Sequence, residues 1–182
     1  SCHELKLAQP GLGDGDYLID PDGPGPIAPL TVHCEMDLGA CGYTMVRFND
    51  PNLGSNQDAY AAKCASVGME IIVPRTKALA TTIYTWNGNV VPNLYNVFPK
   101  FNGATGINNW TGKCKGVDCT FWMTDEPDFD VSCTDGYEPN GDNNVNYRIY
   151  KWNDGCGVQG GWNDAHNTVQ YTGWVICSTN DC

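Results

Sequence analysis

The sequence predicts an α+β domain with two short helices, small antiparallel sheets and a long loop region, cross-linked by disulfides. Three observations carry that prediction. Two stretches, near residues 60 and 80, repeat apolar residues at helical spacing, with strand-sized apolar runs on either side. Eighteen Asn, sixteen Asp and 21 Gly stand against five Glu, a bias toward turns, where short polar side chains and glycine satisfy or relax the backbone. Ten cysteines form an even set with no CxxC pair and only three His, which favours five disulfides over zinc.

The first fifty residues read as short strands and turns. Tyr17 to Ile19 alternate as a strand, a Pro/Gly/Asp cluster over 20–26 turns the chain, and Leu30 to Cys34 form a second strand. Pairing these two strands brings Cys2 near Cys34. Residues 42–48 form a third strand candidate. Ser55 or Asn56 then caps a helix whose Tyr60, Cys64 and Val67 share one face, and Gly68 ends it. MEIIVP at 69–74 reads as a buried strand. Thr76 caps a second helix with Leu79, Ile83 and Trp86 at the same spacing, closed by Gly88.

From 87 to 165 the chain reads as mostly loop, broken by aromatic-rich strands such as TFWMT at 120–124 and NYRIYKW at 146–152. A loop of that length in a compact domain is either a misassignment or the functional part. VQYTGWVICS supplies a closing strand with Cys177.

Composition excludes several function classes. The net charge is -11, with ten Lys plus Arg, so no basic face exists to neutralise nucleic-acid phosphates or anionic lipid. The apolar runs are strand-sized, far short of the roughly 20 residues that insert into a bilayer. Aromatic residues make up 11% of the chain, too many for one that stays solvated. The cysteines predict an oxidising, extracellular setting, either secreted or at the cell surface. No signal peptide opens the sequence, which predicts that Ser1 follows a processing site or an artificial boundary. One sequon, Asn109-Trp110-Thr111, can carry glycan in a eukaryote.

The chemistry concentrates in two glycine-rich stretches, GYEPNGDNN at 136–144 and GGWNDAHN at 160–167. They gather Glu138, Asn140, Asp142, Asn163 and Asp164, hard oxygen donors of the kind calcium takes from flexible loops. Each stretch alone also reads as an ordinary polar turn. A second acidic run, Asp125, Glu126, Asp128 and Asp130, is open between a calcium site and a solvated loop. Tyr137 is placed to stack on a ligand, whereas Trp152, Trp162 and Trp174 read as core and His166 as a surface residue. No GxSxG, HExxH or phosphate-binding glycine loop is present, and the carboxylates sit on no recognisable catalytic scaffold, so the chain reads as non-enzymatic.

Two resemblances follow from ordered motifs. SCHELK, DGDYLIDPDG, VHCEMD and CGYTMV, over residues 1 to about 48, resemble the first subdomain of fibrinogen-like proteins. CASVGMEIIVPRTKA, FWMTDEPDFD, GYEPN, GGWND and WVIC, over about 55–177, resemble in order the helices, long loop, EPN and WND motifs and closing strand of the C-type lectin-like domain. The resemblances divide the chain into 1–50 and 51–182, a fibrinogen-like hairpin subdomain and a lectin-like core packed as one unit. They imply that Glu138, Asn140, Asn163 and Asp164 hold one calcium ion whose remaining positions take two vicinal sugar hydroxyls. The EPN form is similar to that of members preferring mannose-type hydroxyls.

The chain also departs from that family. Where the family supplies a further Glu after EPN, this chain has GDNNVN, so only Asp142 or Asn144 can substitute. Where the family has a cysteine just after WND, this chain has Asn167. The resulting pairing is Cys64–Cys177 from helix to last strand, Cys2–Cys34, Cys133–Cys156 flanking EPN, and Cys114–Cys119 closing a small loop, which leaves Cys41 for Cys182. The expected function is a non-catalytic, calcium-dependent module that binds glycans on cell surfaces or glycoproteins, oligomeric in the full-length protein because single sugar sites are weak. Alternatives are a protein-binding or oligomerising module with degenerate calcium loops, and a fibrinogen-like binder of N-acetylated sugars.

Overall fold

The computed structural model describes residues 1–50, 57–86, 95–100, 111–120, 146–151, 161–166 and 174–182. The element order is α1 (Cys2–Ala8), β1 (Gly15–Ile19), β2 (Leu30–Glu35), β3 (Tyr43–Asn49), α2 (Gln57–Ala65), β4 (Glu70–Ile71), α3 (Lys77–Trp86), β5 (Tyr95–Lys100), β6 (Thr111–Cys114), β7 (Val117–Thr120), β8 (Asn146–Lys151), β9 (Gly161–His166) and β10 (Trp174–Ser178). It is a small α+β, disulfide-rich fold.

One sheet runs β1-β2-β3-β10-β5-β8-β9, with β4 also paired to β10, and β6-β7 form a separate hairpin. All pairs are antiparallel except β10 with β5. β10 is the hinge of the architecture, since it bonds β3 from the first fifty residues and both β4 and β5 from the later ones. Its run Val175-Ile176-Cys177 is wholly buried because both faces are covered.

Strand alternation divides the core in two. Val175 and Cys177 face one cluster with Cys2, Ile19, Val32, Cys34, Tyr60, Cys64 and Ile71, beneath α1 and α2. Ile176 faces the other with Met45, Ile72, Leu79 and Ile83, beneath α3. On β2, His33 emerges between the buried Val32 and Cys34 and stacks on Trp86 of α3 at 5.3 Å, while Arg47 of β3 lies 5.5 Å over the same ring. The core therefore spans residue 50 without a break.

α1 is a correction to the expected all-strand opening. Ser1 and Glu4 form a reciprocal capping box, and the helix is then fixed by distant groups. Cys2 N–H donates to Thr44 Oγ1 at 3.0 Å, and Lys6 Nζ donates to the carbonyls of Met36, Gly39 (2.7 Å) and Cys41 (3.1 Å). It is this helix, not the strand pairing, that carries Cys2 to Cys34, because β1 pairs with β2 from Gly15 onward.

α2 ends in a Schellman motif. Gly68, at φ +70°, allows Met69 N–H to reach Cys64 O and its own N–H to reach Ala65 O, both at 3.0 Å. α3 begins where Thr76 Oγ1 accepts from Leu79 N–H at 3.1 Å. Between them, only Glu70–Ile71 of the expected 69–74 strand is strand. Val73 N–H bonds the side chain of Asn180 instead of a neighbouring strand. In the region expected as mostly loop the described residues form β5 to β9; β8 is the expected NYRIYKW strand, and of TFWMT only Thr120, the last residue of β7, lies within the described residues.

The disulfides Cys2–Cys34, Cys41–Cys182, Cys64–Cys177 and Cys114–Cys119 are four of the five expected pairs. Cys133 and Cys156 lie outside the described residues. Four disulfides fit a chain that folds in an oxidising compartment. Among the described residues no helix is long and apolar enough to cross a membrane.

Candidate functional site

Of the expected calcium ligands, the structure places Asn163 and Asp164. Both lie on β9, the outermost strand at one end of the long sheet. In register, Asn163 stands across from Ile149 and Asp164 across from Arg148 of β8. The WND triplet is thus held by a strand ladder rather than a free turn, and the segment carrying EPN leads into β8, its hydrogen-bonded neighbour. Glu138, Asn140, Asp142 and Tyr137 fall outside the described residues, as do Asp125, Glu126 and Asp128. The donor set as a whole is carboxylate and amide oxygen, which fits calcium and not a softer metal.

A cleft of about 360 Å³ opens between α1, the turn after α2, the β6–β7 hairpin and residues 179–181, lined by Glu4, Gly68, Glu70, Lys115, Thr179 and Asp181 among others. Its floor is a carboxylate clamp. Glu70 Oε2 accepts from Lys115 N–H and Oε1 from Gly116 N–H, each at 2.8 Å. Both turn residues have positive φ, 52° and 76°, the two-residue hairpin geometry that glycine at the second position eases. The cleft thus gathers the carboxyl groups of Glu4, Glu70 and Asp181 with Lys115. Asn180 backs it, donating Nδ2–H to Ile71 O (2.8 Å) and Lys113 O (2.9 Å) while Oδ1 accepts from Val73 N–H (3.0 Å).

A second cluster was not anticipated from the sequence. Asp14 Oδ1 accepts from Met36 N–H at 2.5 Å and from Asp37 N–H at 3.1 Å, at the end of β2. Beside it Glu35 is 8% exposed. Burial, then the charge of Asp14 and a hydrogen bond with it, push the Glu35 carboxyl up to about 7, against a weaker downward pull from Asp37 N–H. The protonated form of Glu35 is therefore favoured relative to an exposed carboxyl. No sequence spacing links Asp14 to Glu35; the β1–β2 register does.

Among the described residues one group of potential metal ligands converges: His3, Cys41 and Cys182, with ligand atoms within 4.8 Å of one another. The two sulfurs are joined to each other, so neither is a thiolate and the group is not a metal site as it stands. A scan against protein-family models and searches of curated proteins and of solved structures find no match to this chain.

Proposed function

We propose that this chain is an extracellular, non-catalytic, calcium-dependent carbohydrate-binding module of C-type lectin-like design, preceded by a fibrinogen-like subdomain. Glu138, Asn140, Asn163 and Asp164, with Asp142 in place of the absent Glu, are the proposed calcium ligands, and vicinal hydroxyls of a cell-surface or glycoprotein glycan complete the coordination. Tyr137 is the proposed stacking residue, and Asp125, Glu126 and Asp128 a proposed second ion site. The observation that carries the reading is that WND lies on β9, hydrogen-bonded to β8, with GYEPN in the segment before β8. Support also comes from Cys64–Cys177, which ties α2 to β10 as that resemblance implies. Ion binding would fix the spacing of the two motifs, and oligomerisation would supply avidity.

Isothermal titration with mannose, galactose and N-acetylglucosamine, in calcium and again in EDTA, tests the proposal. Heat in calcium that EDTA abolishes supports it, and the absence of sugar heat in calcium rejects it. The GDNNVN segment, lacking the usual second Glu, favours one other reading, a protein-binding surface on the same scaffold. That reading requires a protein partner captured with EDTA present and no calcium-dependent rise in melting temperature.

A further inference from the structure

The four described disulfides are not equivalent. Cys2, Cys34, Cys64 and Cys177 are 0% exposed, so no incoming thiol reaches their sulfurs. Cys114–Cys119 is partly exposed, but it closes a five-residue separation within a paired hairpin that also packs on the α3 core. If opened, its sulfurs are held side by side and rejoin. Cys41–Cys182 is partly exposed and links residues 141 apart, and an imidazole sits on it: His3 Nδ1 lies 3.4 Å from Cys182 Sγ. Two cations flank the bond, Lys6 on the carbonyl of Cys41 (3.1 Å) and Arg75 on the carbonyl of Cys182 (3.4 Å). Asp181 is the adjacent anion, and its Oδ1 is engaged by the Thr179 hydroxyl at 2.7 Å. A partly exposed disulfide with an imidazole against one sulfur is the kind that exchanges.

We propose that Cys41–Cys182 is the exchangeable disulfide among the described ones, with Cys41 Sγ the atom attacked by an external thiolate and Cys182 Sγ the leaving group, stabilised by His3. In the step, the thiolate sulfur forms a bond to Cys41 Sγ as the Cys41–Cys182 bond breaks. The bonding pair departs on Cys182 Sγ, which accepts a hydrogen bond or the proton from His3 Nδ1. The external thiol is oxidised into the mixed disulfide and Cys182 is reduced, so electrons balance within the pair. The asymmetry follows from the imidazole's contact with Cys182, since the better-stabilised thiolate leaves faster. Opening this link removes the covalent tie between Cys41 and Cys182, while the Asn180 bonds, the Thr179–Thr44 bond and the pairing of β10 with β3 do not depend on it.

The test is exposure of the full chain to graded reduced glutathione at fixed pH, rapid quenching with N-ethylmaleimide, and peptide mass mapping. The expected first product carries glutathione on Cys41 and maleimide on Cys182, with the other described cysteines unlabelled. His3→Gln should slow this opening about tenfold, a barrier change of about 1.4 kcal/mol, without changing the rate at Cys114–Cys119. Glutathione mainly on Cys182, earlier opening of Cys114–Cys119, or an unchanged rate in His3→Gln would each overturn the proposal. The position of the adduct is read on the unmutated protein, so the test survives a variant that folds poorly.

Discussion

Glu35→Gln should stabilise this protein at alkaline pH and leave it nearly unchanged in acid. In the folded chain the Glu35 carboxyl rises from 4.5 to about 7, chiefly because it is buried and secondarily because Asp14 faces it. An acid whose folded value is raised binds more protons folded than unfolded across that interval. Stability is therefore fully present below about pH 4.5 and is lost as pH rises through about 7. At 1.36 kcal/mol per pH decade the loss is about 3 kcal/mol, and residual solvent screening reduces it to about 2–3 kcal/mol. Glutamine is neutral throughout and its Nε2–H can donate to Asp14, so it retains the acid-pH hydrogen bond without the alkaline cost. For a domain of this size the gain at pH 8 corresponds to about 4–12 °C in melting temperature. Thermal melts followed by circular dichroism from pH 4 to 9, with the disulfides intact, should show the two curves meeting near pH 4, diverging from about pH 4.5 and holding a constant separation above about pH 7. Parallel curves, or a variant less stable at every pH, would refute the account of this carboxyl pair.

Other substitutions probe the groups that fix the hairpin and the helix ends. Glu70→Ala removes both acceptors of the Lys115 and Gly116 amides and should cost about 1–3 kcal/mol in denaturant unfolding. Asn180→Ala leaves Val73 N–H and the Ile71 and Lys113 carbonyls without their partner, and a loss of about 2 kcal/mol is expected in the same assay. Gly68→Ala combines a φ of +70° with an added Cβ 3.0 Å from Ile27 Cδ1 and 3.1 Å from Pro21 Cβ, and calorimetry should record a loss of about 1–2 kcal/mol.

The two longer helices were legible because their determinants are local. Tyr60, Cys64, Leu79 and Ile83 repeat at helical spacing, Thr76 caps α3 through its own hydroxyl, and Gly68 supplies the stop. The capping box of α1 was equally present in Ser1 and Glu4, but seven residues are too few to show periodicity. What holds α1 is Thr44 and the carbonyls of 36–41, which no local pattern reveals. β4 stops short because Asn180, more than a hundred residues on, takes over the backbone of Val73. Likewise β5 and β9 are strands through their partners: β5 is recruited by β10 and β8, and β9 by β8. For the candidate site, Asn163 and Asp164 stood out by residue type, while their place on an edge strand required the pairing register. Asp14 with Glu35, and His3 with Cys182, were invisible for the same reason, being joined only by the folded backbone.

The position of β10 has a consequence for how the chain is made. Trp174 pairs with Asn49, about 125 residues earlier, so during synthesis the hydrogen-bonding edge of β3 waits until those residues have been added before its partner leaves the ribosome. Until then that edge is a ready template for pairing with a second nascent copy. Cys2–Cys34 joins α1 to β2 within the first fifty residues, so that disulfide can close on the other side of β3 long before β10 is made.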